Sequence, residues 1–205
     1  MQSNKVVFDF DETFISINSF PYWVVYLIVF DFLTLKWSAG LYLTKCLLQR
    51  KIMKTISHVE FKEGILKHKI NSTGVRIFCQ FLRRYEHQWI RDKFVQHIHQ
   101  QDEVIISSAA PEIYLREYFK NQKIKIVGAH LKTDGTLNDN HSEMKLSNLY
   151  HFQWLNKNEK LKEVYTDSYE DLPLAKQSLH VYLIKPNLKT LKAFEILKEH
   201  ITILK

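Results

Sequence analysis

Cysteine is scarce: Cys46 and Cys79 are the only two in 205 residues, and they do not form a CxxC spacing. A disulfide framework and a thiolate zinc site are therefore not expected, and a reducing, cytoplasmic setting fits best. Proline is nearly as rare, with four residues, and no proline-rich linker, low-complexity tract or internal repeat divides the chain. A secretory pattern is missing as well, because MQSNKVVFDFDET passes from a polar start straight into acids, so export is not expected. The apolar run from Phe20 to Phe30 is closed by Asp31; it is too short for a bilayer span, yet long enough for a buried or interfacial helix. Negative charge is in deficit, with 22 Asp and Glu against 29 Lys and Arg, a net charge of +7. Anionic partners are favoured by that balance. The lysines are dispersed, however, with no basic stripe interleaved with aromatics, so nucleic acid is not an expected partner.

What is present is a series of short, β-branched, apolar runs: Lys5–Phe10, Val104–Ile106, Ile124–Val127, Val164–Tyr165 and His180–Ile184. Unbroken hydrophobicity of that length marks strands buried on both faces, as in a parallel sheet. Helix-length segments lie between several of them, at Pro111–Lys120 and Lys145–Trp154, and the alternation predicts a doubly wound α/β domain. The interval between the first two strands is far longer than a βα loop requires. It reads as helical throughout, with an amphipathic pattern across 74–99, and predicts an inserted helical unit at about 15–99. Residues 1–14 and about 100–205 would then form the core.

The acids sit where such a fold works. VVFDFDETF ends the first strand with Asp9 and Asp11, and in doubly wound sheets the functional crevice lies beyond the carboxyl ends of the strands. Close like charges repel unless a cation lies between them, and oxygen donors without sulfur suit a hard ion, magnesium before zinc or copper. VIISSAAPE closes the second strand with Ser107 and Ser108 ahead of a helix, a place where hydroxyls and free amides meet an anion. YTDSYEDLP closes the fourth with Asp167 and Asp171, and Lys145 adds a compact positive charge for the same anion.

The order DxDxT, Ser after an apolar strand, Lys, then DSxxD resembles the haloacid dehalogenase superfamily of phosphatases, in its phosphoserine-phosphatase-like branch with a helical cap. The resemblance runs from Val6 to about Asn187. It implies a Rossmann-type sheet, Asp9 as the nucleophile that becomes an aspartyl phosphate, and Asp11 as general acid and then base. It further implies that magnesium is held by Asp9, the main-chain carbonyl of Asp11 and Asp167, with Asp171 supporting and Thr13 bracing the loop. Lys145 and one serine would bind the phosphate. Counting back from Pro111 in the SxSP form gives Ser108, whereas counting from the strand end gives Ser107. Glu12 stands where many relatives carry glycine. Asn18 stands where phosphoserine phosphatases carry the glutamate that holds the amino group, so phosphoserine is a poor substrate expectation.

The expected activity is therefore a magnesium-dependent phosphomonoesterase acting on a small phosphorylated substrate. The aromatic, apolar and basic segment 20–54 raises a second expectation, a lipid phosphate met at a membrane surface, since its hydropathy is similar to the bacterial phosphatidylglycerophosphatases of this branch. A catalytically silent binding protein on the same fold is the alternative of another class. The histidines at 58, 68, 87, 97 and 99 are scattered and read as surface or core residues rather than metal ligands.

Overall fold

The computed structural model describes residues 3–204. The elements, in chain order, are β1 (Lys5–Phe8), α1 (Ser19–Leu33), α2 (Trp37–Leu48), α3 (His58–Leu66), α4 (Ser72–Leu82), α5 (Gln88–His99), β2 (Glu103–Pro111), α6 (Glu112–Tyr118), β3 (Lys125–Leu131), β4 (Leu137–Asn138), α7 (Glu143–His151), β5 (Leu161–Thr166), α8 (Leu172–Lys176), β6 (Ser178–Ile184), α9 (Leu188–Phe194) and β7 (Ile201–Leu204). The strands form one sheet in the order β4-β3-β2-β1-β5-β6-β7. All pairings are parallel except β3 with β4. Residues 6 to 8 of β1 are fully buried because helices cover both faces of the sheet. Val7, Ile105 and Val164 face Leu149 of α7, while Val6, Phe8 and Ile106 face the opposite layer. β1 lies between β2 and β5, where the strand order reverses, so its carboxyl end opens into the crevice where α/β sheets bind ligands.

Helices α1 to α4 occupy the long interval before β2. Each of three of them starts on a side chain that accepts an amide hydrogen: Asn18 for α1, Ser57 with Glu60 in a reciprocal box for α3, and Asn71 for α4. Trp23 of α1 fixes this insert to the core, its ring 4.8 Å from Phe78 of α4 and 5.3 Å from Tyr114 of α6. Burying an aromatic of that size contributes about 3 kcal/mol. Insert and sheet thus share one continuous hydrophobic core.

Three details differ from the sequence expectation. The amphipathic stretch 74–99 is two helices, broken at Arg83–Tyr85, because the chain there pairs with the exit from β1: Ser16 N–H donates to Tyr85 carbonyl and His87 N–H to Phe14 carbonyl. The insert enters and leaves side by side at this point, which puts α5 with the sheet rather than with α1 to α4. Phe94 of α5 meets Phe8 edge-on at 5.8 Å. Finally, β7 is a four-residue edge strand that a chain-end segment of that length does not announce by periodicity. β3 and β4 form a hairpin, with Gly135 at positive φ in its turn.

Candidate active site

Asp9 is the first residue beyond β1, tethered by its own N–H to the carbonyl of Tyr165 on β5. The chain then turns sharply, with the amides of Phe14 and Ile15 both donating to the carbonyl of Phe10. Glu12 takes φ of 54° in this turn, a left-handed conformation that glycine adopts without steric cost and glutamate does not. The turn brings Asp11 to the start of α1, where its Oδ1 accepts the Ser19 N–H at 2.9 Å. Ser19 Oγ in turn lies 2.5 Å from the buried phenol oxygen of Tyr114.

Lys145 reaches the same place from α7. Its ammonium lies 3.0 Å from Asp9 Oδ1 and donates to Asp171 Oδ2 at 2.7 Å. Thr166, the last residue of β5, donates to that Asp171 oxygen at 2.6 Å, so Asp171 fixes the lysine rather than projecting free. Thr13 donates to Asp167 Oδ1 at 3.1 Å, binding the β1 turn to the β5 turn. Both serines of β2 are buried. Ser107 Oγ accepts from the Asn140 amide at 3.1 Å, within a network that also holds the carbonyls of Ser108 and Val127. Ser108 Oγ accepts the Ala110 N–H at 3.2 Å in the irregular stretch between Ser107 and Pro111 where β2 loses register with β3. Gly128 makes room for that stretch: a Cβ there would stand 2.7 Å from the Ala110 carbonyl oxygen.

The electrostatics follow from crowding acids where water is scarce. Burial pushes the Asp11 carboxyl up to about 7, with hydrogen bonds from Ser19 opposing. Burial, then the charges of Asp9 and Asp171, push Asp167 up to about 7. Asp9 is raised by burial and held back by Lys145. Burial alone would lower Lys145, but Asp171 and Asp9 outweigh it and keep the ammonium charged. Among the described residues, Asp171 Oδ1 is buried without a hydrogen-bond donor, and the Lys145 ammonium is the close partner of Asp9 Oδ1. Among the described residues, no three His, Cys, Asp or Glu side chains converge into a ready-made metal cage. An oxygen set of two carboxylates and a main-chain carbonyl, completed by water, fits a magnesium ion, which keeps several waters when it binds.

A cavity of about 450 Å³ lies where the insert meets the core, lined by Asp11 and Ala109 from the core side and by Phe20, Val24, Phe61, Arg50 and Lys51 from the insert. Lys62 of α3 also lines it but is tied down, donating to the Ala109 carbonyl at 2.8 Å and pairing with Asp139.

The structure thus brings Asp9, Asp11, Thr13, Lys145, Asp167 and Asp171 to one end of the sheet, with Ser107 and Ser108 on the strand beside them. Sequence reasoning missed Ser19, Tyr114, Asn140 and Lys62. A lysine inside the helical pattern HVEFKEGIL gives no sign of being buried. Asn140, next to Asp139 in a polar stretch, had a faint signal in that a hairpin ends there. Of the histidines, His97 is buried, with Asp102 at 2.7 Å and Glu163 at 3.1 Å, and His68 lies 3.1 Å from the buried Asp31. His99, two residues from His97, is exposed.

The family model described as haloacid dehalogenase-like hydrolase matches residues 6–176. A search of curated proteins found no match. Among solved structures, a protein of unknown function from Bordetella pertussis Tohama I superposes with a TM-score of 0.73 at 14% identity, covering 100% of this chain and 99% of that one. A phosphoserine phosphatase in its apo form gives 0.59 at 11% identity, covering 100% and 94%. A phosphoserine phosphohydrolase-like protein from Francisella tularensis subsp. tularensis SCHU S4 gives 0.53 at 15% identity, covering 100% and 95%. At these identities the resemblance is one of fold.

Proposed function

The chain belongs to the haloacid dehalogenase-like hydrolases, and from that premise we propose that it is a magnesium-dependent phosphomonoesterase working through an aspartyl phosphate on Asp9. The observation that carries this reading is the Asp9 carboxylate itself. It is 8% exposed at the end of β1, its Oδ1 meets the Lys145 ammonium at 3.0 Å, and Asp171 holds that lysine in place.

Asp9 attacks phosphorus, and the bond from phosphorus to the alcohol oxygen breaks. Asp11, with its carboxyl near pH 7, donates the proton that the departing oxygen needs. Water then attacks the aspartyl phosphate and gives its proton back to Asp11, which releases inorganic phosphate and restores the Asp9 carboxylate. Lys145 neutralises phosphoryl oxygens throughout. Ser108 is favoured as the donating hydroxyl, because it stands in the irregular stretch of β2 next to Ala109, which lines the cavity. Asp9, the Asp11 carbonyl and Asp167 would hold magnesium, whose positive charge offsets the repulsion between substrate and nucleophile. Asn18 is engaged at the start of α1, where it accepts the Phe20 N–H, and it carries no negative charge for a substrate ammonium.

Turnover of a generic aryl phosphate with magnesium, together with trapping by beryllofluoride, tests the proposal. The wild type should bind beryllofluoride and Asp9→Asn should not. Substantial activity in Asp9→Asn refutes the nucleophile.

A second reading, a lipid phosphate taken from a membrane surface, is favoured by one observation. Leu33, Leu35, Trp37 and Leu41 at the outer end of the insert are exposed, Leu33 by 77%, and they lie in a segment from Phe32 to Val59 that holds five Lys and Arg and no acid. Trp23 and Tyr26 do not belong to that surface, since they pack inward against Phe78. No helix is long and apolar enough to cross a membrane among the described residues. Sedimentation with anionic vesicles, lost on Leu33→Ser with Trp37→Ser, would support peripheral contact.

A further inference from the structure

The cavity over Asp11 has a charge pattern that restricts what can leave as the alcohol. Asp11 is the one acid lining it; every other ionisable group there is basic: Arg50, Lys51, Lys62 and His58. Lys62 is committed to Ala109 and Asp139. Arg50 and Lys51 are not: among the described residues neither has an acidic partner, and the one hydrogen bond of the Arg50 guanidinium is a long one, to the Ile56 carbonyl at 3.5 Å. They belong to the π-helical turn Gln49–Met53 and share the cavity with Asp11 and with the apolar side chains of Phe20, Val24, Leu47 and Phe61. His58 feels the same positive surroundings, its pKa lowered first by burial and then by Lys62, with Arg50 and His141 adding and Asp139 opposing.

Resting on the phosphomonoesterase reading, we propose that this cavity selects a leaving group that is apolar beside its ester oxygen and carries a second anionic group at its far end, bound by Arg50 and Lys51. A substrate ammonium would meet no carboxylate at that end and would be repelled by both cations. A purely polar, compact alcohol would leave the Phe20, Val24 and Phe61 walls uncovered. The volume of about 450 Å³ accommodates a leaving group well beyond three carbons, within the usual range for small-molecule sites.

The test uses monoalkyl phosphates of matched length ending in a carboxylate, a methyl group or an ammonium, with aryl phosphate as the baseline. The carboxylate ester should exceed the methyl ester in kcat/KM by about tenfold, mainly through KM, and the ammonium ester should be slowest, as charge-assisted hydrogen bonds of ordinary strength imply. Arg50→Gln with Lys51→Gln should reduce kcat/KM for the carboxylate ester at least tenfold more than for the methyl ester. Charge reversal at both positions should move the preference toward the ammonium ester. Equal rates on all three esters, or an equal loss on all three in the variants, would overturn the subsite. If aryl phosphate is not hydrolysed at all, the phosphomonoesterase reading falls instead, and calorimetric binding of the same three esters still decides the charge preference. A last pair separates two sources of one chemistry. An anionic phosphomonoester amphiphile hydrolysed faster in vesicles than as a short-chain monomer comes from a bilayer, whereas equal rates assign a soluble substrate.

Discussion

The floor and the roof of the cavity treat charge in opposite ways. On the floor, at the sheet end from which Asp11 reaches the cavity, Asp9 and Asp171 share the one positive charge of Lys145 and Asp167 is held by Thr13, so acids outnumber cations. In the roof, Arg50 and Lys51 line the cavity together with apolar side chains and have no acidic partner among the described residues. The floor is built to hold one small, highly charged group in a fixed geometry. The roof leaves its charges to be answered by whatever enters.

The largest expected effect comes from breaking the floor. Asp9→Asn should lower kcat by a factor on the order of 10⁴ or more, measured on aryl phosphate, with an unchanged circular dichroism spectrum showing that the fold persists. Asp167→Ala should come next, since it removes an anionic ligand. Half-maximal activity should then need a markedly higher magnesium concentration, and excess chelator should abolish wild-type turnover. Full wild-type activity in chelator would remove the metal from the account.

The link between floor and roof is Lys62, buried with Asp139 and the Ala109 carbonyl. Removing one member of a buried pair leaves the other uncompensated, so Lys62→Met should cost about 3 kcal/mol, read by denaturant unfolding. It should also reduce kcat by disturbing the turn that carries Ser108. Gly128→Ala attacks the same turn from β3 through its clash with Ala110 and Glu112, and should cost about 1–3 kcal/mol as an overpacked site.

The acids give the floor a pH signature. Asp11 and Asp167 are raised to about 7, so their protonated forms favour the folded state. That contribution is complete below the ordinary carboxylate pKa and is lost as pH rises through about 7. His97, raised by its bonds to Glu163 and Asp102 against the opposing effect of burial, acts in the same direction: its stabilisation holds below the ordinary histidine pKa and fades above it. In chelator, the melting temperature should therefore fall between about pH 5 and about pH 8. Magnesium should restore progressively more of it toward the alkaline end, because it binds the ionised carboxylates. A metal-free melting temperature that rises across this window would contradict the charge distribution. The smallest effect belongs to Glu12→Gly, which relieves the left-handed conformation at φ of 54° by about 1 kcal/mol before the greater freedom of the unfolded glycine offsets part of it.

Much of the floor was legible in the sequence because strand ends converge in a parallel sheet. Once VVFDFDET, VIISSAAPE and YTDSYEDLP are read as strand ends, β1 between β2 and β5 brings their polar residues together without any further choice. The apolar runs themselves, buried on both faces, had no alternative but a sheet covered by helices. The left-handed residue at Glu12, the buried Lys62, the division of 74–99 into two helices and the acid-free roof were decided by tertiary packing. None of these follows from periodicity, because each depends on what a distant segment presents: Tyr85 to Ser16, Asp139 to Lys62, Phe20 and Phe61 to the cavity below Arg50. Hydrophobic pattern specifies which face of an element is buried. The partner that satisfies a buried charge is fixed only when the chain closes on itself and water is gone.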